Sequence, residues 1–318
     1  MKIPSLSGIV LCAVLATAPA AGQIRLDPAG LELASAQAAV ADLASGEILF
    51  TKHADRQVPI ASVTKLMSAV VVLDSGERLD EWLTIVPRAE RAPVNAYSRI
   101  RIGSELRRAD LLRITLMASE NQAAYVLSRH HPGGREAFVA AMNAKAAELG
   151  MHDSRFVDSS GLSAQNRSTA ADLLRLLAAA MDYELIRDYT RTTGFTAEFR
   201  NPRYTLQYGN TNLLVHRESW DVALSKTGYL QVAGRCLAMV ANIDGRPIAM
   251  VLLDSLGTRT PLGDAGRIGR WLRTGQGGSV AVAARDYERQ RQLEYARQSS
   301  VPGVSQCDAA NGMSDLDC

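Results

Sequence analysis

The sequence predicts an α+β fold in which the two ends of the folded chain share one antiparallel sheet. Strand-like segments occur early and late in the chain, and helical patterns lie between them. The composition is that of a globular protein, because 47% of the 318 residues are hydrophobic and 21% are charged. This length supports one large domain or two modest ones. Strands at both ends of a run of helices are expected to meet in one sheet.

The early part of the chain predicts a hairpin followed by a buried helix. The strand-like segments Ala38–Leu43 and Glu47–Thr51 flank the turn sequence Ala44–Gly46. The next segment, Val63–Asp74, is apolar on almost every side, which is typical of a buried helix. Gly76 is expected to end this helix.

Further helical patterns occupy the middle and the end of the chain. They are Asp110–Arg129, Arg135–Leu149, Thr169–Met181 and Asp264–Arg273. Ser119 and Asn121 interrupt the first pattern, so the helix that begins at Asp110 is expected to end or kink near Met117.

Strands return late in the sequence. Trp220–Leu224 leads into a polar stretch at 225–228, and the apolar segments Cys236–Ile243 and Pro247–Asp254 follow. Between these two segments lies Asp244-Gly245, which is a strong signal for a tight hairpin turn.

The first 21 residues predict a cleaved export signal. Lys2 gives a positive start, an uncharged and mostly apolar run follows, and small residues suit cleavage near Ala20 or Ala21. A short membrane anchor is the alternative, but the run is short for a span, which needs about 20 apolar residues. We therefore expect a periplasmic protein with no stable membrane anchor.

Residues 276–318 are predicted to form a linker and a poorly ordered tail. Gln276-Gly277-Gly278 is typical of a linker, and Val282–Arg297 is a charged possible helix without a clear apolar face. Two cysteines of this tail, Cys307 and Cys318, could pair in an oxidising periplasm. Cys236 lies in an apolar strand-like run and is expected to be buried and inert.

The charge and the histidines argue against several classes of partner. The formal net charge is +2, and removal of the signal with its single lysine leaves about +1. A nearly neutral protein gives no electrostatic case for binding nucleic acid. His130 and His131 are adjacent and lack the spacing of metal ligands, so the sequence indicates no metal and no cofactor.

Three short motifs carry the candidate chemistry, and each occurs once. They are Ser62-Val63-Thr64-Lys65, Ser119-Glu120-Asn121 and Lys226-Thr227-Gly228. The chain has only five lysines against thirty arginines, and two of the five lie in these motifs. Arginine does not release its proton in a protein, whereas a buried lysine readily does. Lys65 is therefore a suitable base for a nearby serine.

The first motif places a serine and a lysine on one face of the predicted buried helix. Ser62 and Lys65 are three residues apart, which brings their side chains within reach of each other. Serine needs a base to become a nucleophile, and full burial lowers a lysine pKa by up to ~3–5 units. At the helix start, unpaired backbone N–H groups are available to a developing oxyanion. Alternatively, Ser62 is only an N-cap and Lys65 a side chain that extends to solvent.

The other two motifs each allow a functional and a structural interpretation. The Ser119 hydroxyl could pass a proton to a leaving amine and the Asn121 carboxamide could hold a substrate amide, unless the two merely cap a helix. Gly228 would let a peptide approach the strand edge, where Lys226 and Thr227 would meet an anionic group. Strand alternation directs these last two side chains to opposite faces, so the spacing alone does not predict that they converge.

Together the motifs resemble the active-site signature of the penicillin-recognising serine peptidases. The resemblance includes the stretches Ala61–Met67, Ser119–Ala124, Asp158–Ser163, Ser168–Leu173, Tyr208–Asn212 and Leu224–Tyr229. The chain is similar to the low-molecular-mass penicillin-binding proteins of the D-alanyl-D-alanine endopeptidase group. This similarity runs from about Ala38 to about Gly275.

The resemblance implies a penicillin-binding, β-lactamase-like fold, with an antiparallel sheet covered by helices, an all-helical region, and a cleft between them. It implies that residues 22–275 form a serine D,D-peptidase domain. Three residues resemble the catalytic groups: Ser62 the acylated nucleophile, Lys65 its base and Ser119 the proton relay. The substrate-binding positions are matched by Asn121 for an amide, Lys226 and Thr227 as an anchoring pair, Gly228, and Tyr229, whose backbone N–H joins that of Ser62 in an oxyanion hole.

The implied function is hydrolysis of D-alanyl cross-links in peptidoglycan through an acyl-enzyme at Ser62, with β-lactams such as penicillin as covalent inhibitors. A D-alanyl-D-alanine carboxypeptidase, which removes the terminal D-alanine, is the closest alternative because it uses the same site. A non-catalytic wall-binding protein with this fold is a distant one. A class A β-lactamase would need a glutamate in a Glu-x-x-Leu-Asn run, which the sequence lacks. The short tail leaves no room for the β-rich domain of many carboxypeptidases, and this favours an endopeptidase.

Overall fold

The computed structural model describes residues 26–89 and 97–299. Their strands are β1 Gln37–Asp42, β2 Ile48–Lys52, β3 Val58–Pro59, β4 Trp82–Thr84, β5 Glu105–Arg107, β6 Arg167–Ser168, β7 Gly194–Phe199, β8 Tyr204–Gly209, β9 Asp221–Leu230, β10 Gly234–Ile243 and β11 Arg246–Ser255. Their α-helices are α1 Thr64–Asp74, α2 Arg108–Met117, α3 Asn121–Arg129, α4 Gly134–Glu148, α5 Ala170–Ala180, α6 Glu184–Arg191, α7 Thr260–Thr274 and α8 Val282–Ser299.

The central sheet joins the early and late strands of the chain. Its order is β2-β1-β11-β10-β9, and every neighbouring pair is antiparallel. β1 pairs with β11, where Val40 lies opposite Met250, so both ends of the folded chain share this sheet. The predicted α+β arrangement is therefore confirmed.

The sheet separates two apolar clusters because successive side chains of each strand point to opposite faces. In β1, Ala39 and Ala41 contribute to one cluster, whereas Ala38 and Val40 contribute to the other. The first cluster includes the helices α1 to α6, and the second is closed by α7, whose Trp271 is fully buried. Helices on both faces explain why β10 and β11 read as almost continuous apolar runs.

α1 is the central helix of the helical region. All residues from Thr64 to Val72 are buried, including the polar Thr64, Lys65 and Ser68. A single turn of 3-10 helix, Ala61–Val63, leads directly into it. Since α1 is enclosed by protein on nearly every side, its first turn is held in a fixed position next to the sheet.

Several elements were not predicted from the sequence, including the short strands β3 to β6. The single pattern Asp110–Arg129 is divided into α2 and α3, as its polar interruption indicated, but α6 and the hairpin β7–β8 were missed. The hairpin pairs Gly194 with Gly209, and its strands alternate apolar and polar residues, as in Phe195–Phe199 and Tyr204–Tyr208, so this alternation could have found it.

The structure differs from the predicted poorly ordered tail over residues 276–299. α8 packs against the sheet through polar contacts, because Arg291 Nε lies 2.6 Å from Asp254 Oδ2 and Lys52 Nζ lies 3.1 Å from Glu288 Oε1. Gln292 also donates to the Ala36 carbonyl at 2.8 Å. These contacts leave little apolar signal in the sequence. The predicted signal at 1–21 and the predicted pairing of Cys307 with Cys318 lie outside the described residues.

Candidate active site

Ser62 lies in the 3-10 turn Ala61–Val63 that begins the central helix, and we call this segment the Ser62 turn. Ala61 has φ +48°, a left-handed conformation that is rare for a residue with a side chain. Such a conformation costs about 1–3 kcal/mol and persists only where the surroundings enforce it. The turn is therefore held from outside, by the segments described below.

Lys65 connects three of the candidate segments through its amine. Its side chain is fully buried, and Nζ donates to Ser62 Oγ at 2.8 Å. The same nitrogen donates to Asn121 Oδ1 at 2.7 Å and to the Ser160 carbonyl at 2.5 Å. A lysine ammonium has three protons, so these acceptors use all of them. Loss of one proton would leave a lone pair that can accept the hydroxyl proton of Ser62.

Burial makes that proton loss accessible near neutral pH. It lowers the pKa of Lys65 from 10.5 to about 7, since the charged form loses its hydration. The negative charges of Asp158 and Glu120 act in the opposite direction, while the charge of Arg88 assists the lowering. A substantial fraction of Lys65 is thus neutral at pH 7, which suits a general base.

The second motif forms the break between α2 and α3. Glu120 caps α3, because its carboxylate accepts from the Ala123 N–H at 2.6 Å, and burial raises the pKa of that carboxyl. The cap is therefore Glu120 rather than a pair made by Ser119 and Asn121. Ser119 has φ +59°, and it lines the same cavity as Asn121. The break thus presents both side chains of the motif to one space.

The third motif lies on β9, the edge strand of the central sheet. Lys226 is buried, and its pKa lies well below 10.5 because of burial and the nearby charge of Lys65. Its Nζ donates to the Thr227 carbonyl at 2.8 Å. The Thr227 hydroxyl lies 2.6 Å from that of Thr211. Lys226 therefore lies within electrostatic range of Lys65, which the strand spacing alone could not establish.

Gly228 allows β9 to pass close to the Ser62 turn. A Cβ at this position would lie 3.1 Å from both the Ser62 nitrogen and the Ile60 carbonyl oxygen. The neighbouring Tyr229 side chain is 44% exposed and stacks with Arg235, whose Cζ lies 3.9 Å from the ring centroid. The backbone of the motif thus lies beside the Ser62 N–H, while the Tyr229 ring lies on the surface.

The loop Asp158–Ser163 supports the site, although its residues were not predicted to act there. The Asp158 carboxylate accepts backbone N–H groups of Ser160 at 2.6 Å, Gly161 at 2.7 Å and Ser163 at 2.8 Å. This arrangement directs the Ser160 carbonyl to Lys65. Aspartate followed by small polar residues and glycine is the signature of an Asx-type turn, and this signal could have found the loop.

Asn166 ties that loop to the Ser62 turn. Its side chain accepts from the Val157 N–H at 2.7 Å and donates to the Asp158 carbonyl at 3.0 Å. Its own carbonyl accepts from the Ile60 N–H at 3.1 Å. The loop and the residue before the Ser62 turn are therefore fixed relative to each other.

Other reactive side chains do not converge on this site. In the described ranges, no cluster of three or more histidine, cysteine or carboxylate side chains could hold a metal ion. Cys236 is buried as predicted, and burial raises the pKa of its thiol to about 12. The described helices include none that is long and apolar enough to cross a membrane.

A buried lysine bonded to a serine at the start of a central helix, beside an antiparallel sheet, defines a class of serine enzymes that react through an acyl-enzyme. Within that class, residues 23–257 match the family profile described as D-alanyl-D-alanine carboxypeptidase, Peptidase_S11. The match covers well over half of the chain. The chain therefore belongs to this family of serine D-alanyl-D-alanine peptidases, and the resemblance stated from the motifs is confirmed.

Curated relatives and solved structures agree with this assignment. The chain is 45% identical to a D-alanyl-D-alanine endopeptidase of Pseudomonas aeruginosa over 298 residues, which cover 92% of this chain and 96% of the relative. It is 44% identical to that of Escherichia coli K12 over 83% of this chain and 86% of the relative. The Streptomyces K15 DD-transpeptidase structure superposes with a TM-score of 0.69 at 26% identity, covering 76% of this chain and 98% of that one. Ampicillin-bound penicillin-binding protein D2 of Listeria monocytogenes gives 0.67 at 27%, covering 77% and 99%. The predicted fold is thus confirmed.

Proposed function

We propose that the chain is a serine D,D-endopeptidase that hydrolyses D-alanyl cross-links of peptidoglycan through an acyl-enzyme at Ser62. The observation that carries this proposal is the 2.8 Å hydrogen bond between Lys65 Nζ and Ser62 Oγ, made by a lysine with no exposed surface. Two relatives at 45% and 44% identity are named D-alanyl-D-alanine endopeptidases. Their names favour cleavage of cross-links over removal of a terminal residue.

In the proposed reaction, neutral Lys65 accepts the proton of Ser62 as Oγ attacks the D-alanyl carbonyl carbon. The oxyanion that forms is bound by the backbone N–H groups of Ser62 and Tyr229, and one such donor contributes about 2.7–4 kcal/mol. The carbon–nitrogen bond then breaks as the Ser119 hydroxyl gives its proton to the leaving amine and takes one from Lys65, which returns to its neutral form. Water hydrolyses the Ser62 ester, which releases the shortened stem and restores the hydroxyl.

The remaining motif residues hold the substrate in this proposal. Asn121 binds the amide on the acyl side of the scissile bond. Lys226 and Thr227 bind the carboxylate on the leaving side, and Gly228 lets the substrate strand lie along β9. The buried position of Lys226 supports this role, because a bound carboxylate would favour the charged form that burial disfavours, and an ion pair with little hydration is strong.

D-alanyl-D-alanine carboxypeptidase activity is the second candidate. The matching family profile carries that description, and both reactions need the same attack on a D-alanyl carbonyl. The two differ in the leaving group, which is a cross-linked stem in one case and free D-alanine in the other.

We further propose that residues 22–275 form the peptidase domain and that the protein works in the periplasm after cleavage of a signal at 1–21. The family match over 23–257 supports this domain assignment. β-Lactams are proposed as covalent inhibitors, supported by the ampicillin-bound relative. We propose no nucleic-acid partner, no metal or cofactor, and no stable membrane anchor.

Digestion of purified cross-linked muropeptide dimers tests the proposal. Wild type is expected to convert dimers into monomers, as followed by mass spectrometry, and Ser62→Ala is expected to leave them intact. Ser45→Ala, in an exposed turn, is the matched control and should retain activity. Shortened monomers without loss of dimers would identify a carboxypeptidase instead. If fluorescent penicillin failed to label the wild type, a non-catalytic wall-binding protein would be favoured.

A further inference from the structure

A cavity of about 290 Å³ lies next to the break between α2 and α3. Ser119 and Asn121 line it together with Arg99 and Tyr208, and we call it the Arg99 cavity. Asn121 Oδ1 and Ser62 Oγ both accept hydrogen bonds from Lys65 Nζ. The Arg99 cavity is therefore a direct extension of the candidate active site.

Arg99 brings an available positive charge to this cavity. Its guanidinium lies over the Tyr208 ring, with Cζ 5.1 Å from the ring centroid, and donates to the Gln207 carbonyl at 2.5 Å. Among the described residues, 26–89 and 97–299, neither of these two contacts of Arg99 is with a carboxylate. A guanidinium has five N–H donors in a planar fork that fits a carboxylate. Arg99 thus keeps donors for an anion.

Tyr208 contributes a second polar group that lacks a protein partner. Its hydroxyl is buried and, among the described residues, has no hydrogen-bond partner. Buried polar atoms are nearly always hydrogen-bonded in folded proteins, so an exception at a binding cavity points to a ligand. Burial and the charge of Glu120 raise the pKa of this hydroxyl, which therefore remains a hydrogen-bond donor.

The acidic group of the lining does not neutralise Arg99. Glu120 also lines the cavity, but its carboxylate accepts from the Ala123 N–H at the start of α3. Of the polar groups that line the cavity, Arg99 and Tyr208 are the two whose contacts favour an anionic ligand, because one carries a positive charge and the other a hydroxyl without a partner among the described residues.

We infer that the Arg99 cavity binds a free carboxylate of the stem peptide on the acyl side of the scissile bond. The best match is the side-chain carboxylate of a diamino-dicarboxylic residue immediately before the D-alanine. This inference rests on the proposed function, in which Asn121 holds the acyl-side amide. Consecutive residues of an extended peptide lie about 3.3–3.6 Å apart, so the residue before the D-alanine lies within reach of the cavity beside Asn121. The α-carboxylate of a neighbouring glutamyl residue has the same chemistry and is the second source.

Three cross-linked dimers distinguish these sources. One has all carboxylates free, one has a carboxamide on the diamino acid, and one has a carboxamide on the glutamyl residue. We expect wild type to cleave the first and the third dimer with a kcat/KM ~10-fold higher than that for the second. This is the size of effect expected when one charge-assisted hydrogen bond to the substrate is lost. A penalty confined to the third dimer would overturn the assignment to the diamino acid. Equal rates for all three would overturn the cavity proposal.

Matched variants test the two lining residues. Arg99→Gln is expected to remove the ~10-fold preference, and Tyr208→Phe to reduce it by about half. Arg101→Gln is the control, because Arg101 stacks in the same way on Tyr204, at 4.7 Å, but does not line the cavity. Arg101→Gln should react with fluorescent penicillin at the wild-type rate, and circular dichroism should show that Arg99→Gln and Tyr208→Phe remain folded. An undiminished preference in Arg99→Gln would overturn the proposal.

Binding without turnover separates the cavity from the proposed reaction. In Ser62→Ala, calorimetry should show ~10-fold weaker binding of the dimer with the amidated diamino acid. Equal affinities would overturn the cavity proposal even if wild type cleaves both dimers. Selective binding without cleavage by wild type would overturn the endopeptidase proposal and leave the cavity proposal standing.

Discussion

At the scale of single residues, the site depends on the balance that sets the protonation of Lys65. The carboxylates of Asp158 and Glu120 favour the charged amine, whereas burial and Arg88 favour the neutral one. Burial is the largest of these effects, and the pKa falls to about 7. The contacts of Nζ with Asn121 and the Ser160 carbonyl hold the amine at 2.8 Å from Ser62 Oγ. The residue is therefore positioned before it loses its proton.

The lowered pKa predicts how reaction with penicillin depends on pH. The rate constant for acylation should rise as the pH increases through about 7 and level off above it, because only neutral Lys65 can accept the Ser62 proton. Lys65→Arg should not react at any pH from 5 to 9, since arginine retains its proton. Stopped-flow measurement with a fluorescent penicillin gives the profile.

A second lysine provides the control for this profile. Lys145 forms ion pairs with Asp74 and Glu148, and Lys145→Arg keeps that charge, so its profile should match wild type. A rate that does not change between pH 5 and 9, or that rises only near pH 10, would contradict the assignment of Lys65 as the base.

The sequence predicted the local part of the site and missed the contacts made across the chain. The three-residue spacing predicted that Ser62 and Lys65 approach each other, and the 2.8 Å hydrogen bond confirms it. The Ser160 carbonyl is 95 residues from Lys65 in sequence, so no spacing rule could predict that contact. The approach of Lys226 to Lys65 also depends on how β9 lies beside the helical region.

At the scale of elements, two glycine-containing segments enclose the Ser62 turn. Gly228 of β9 lies against the Ser62 nitrogen, and Gly161 of the loop at 158–163 lies against the Ala61 carbonyl. A Cβ on Gly161 would lie only 1.9 Å from that carbonyl oxygen. The left-handed Ala61 is thus enclosed by backbone that tolerates no added side chain.

This enclosure predicts a large effect of Gly161→Ala. We expect the free energy of unfolding to fall by about 2–5 kcal/mol, from left-handed strain together with overlap against the Ser62 turn. Acylation by penicillin should slow by ~100-fold or more, because a small displacement of reacting groups has effects of that size. Urea unfolding and penicillin labelling of the folded protein measure the two effects.

Gly103→Ala separates the overlap from the strain. Gly103 has φ +83°, close to the +80° of Gly161, but a Cβ there would meet nothing within 4 Å. It should cost only about 1–2 kcal/mol and leave acylation unchanged. Similar acylation rates for the two variants would show that the loop at 158–163 does not hold the Ser62 turn.

The elements that the sequence predicted are those whose pattern arises from burial. α1 and the late hairpin were predicted from an apolar run and from Asp244-Gly245, where both residues have positive φ. α6 and the β7–β8 hairpin do carry a periodic pattern, since α6 buries Ile186, Tyr189 and Thr190 on one face and the hairpin alternates apolar and polar residues, but both elements are short and largely polar. The Ser62 turn was expected to be a simple helix start, and its left-handed Ala61 became apparent only in the structure.

At the scale of the whole molecule, α8 attaches the end of the described chain to the central sheet. The Asp254 carboxylate, which is 1% exposed, accepts from Tyr287 at 2.6 Å, Arg291 at 2.6 Å and Tyr295 at 2.7 Å. Without α8 this buried carboxylate would lose all three of these donors. This attachment was not predicted, because the partner of a polar helix cannot be recognised from apolar spacing in the sequence.

Removal of α8 should therefore destabilise the protein without changing its chemistry. The free energy of unfolding of a chain ending at residue 281 is expected to fall by about 2–4 kcal/mol, because the charge-assisted hydrogen bonds of Asp254 and the burial of the Tyr295 ring are lost. For a domain of this size the thermal unfolding midpoint should fall by about 5–15 °C. A chain ending at residue 299 keeps α8 and is the reference for the shorter chain. Below its unfolding transition, the shorter chain should still react with penicillin at the wild-type rate, since the contacts of Lys65 and Gly161 with the Ser62 turn do not involve α8. Equal unfolding midpoints for the two truncated chains would show that the contacts of Asp254 do not stabilise the fold.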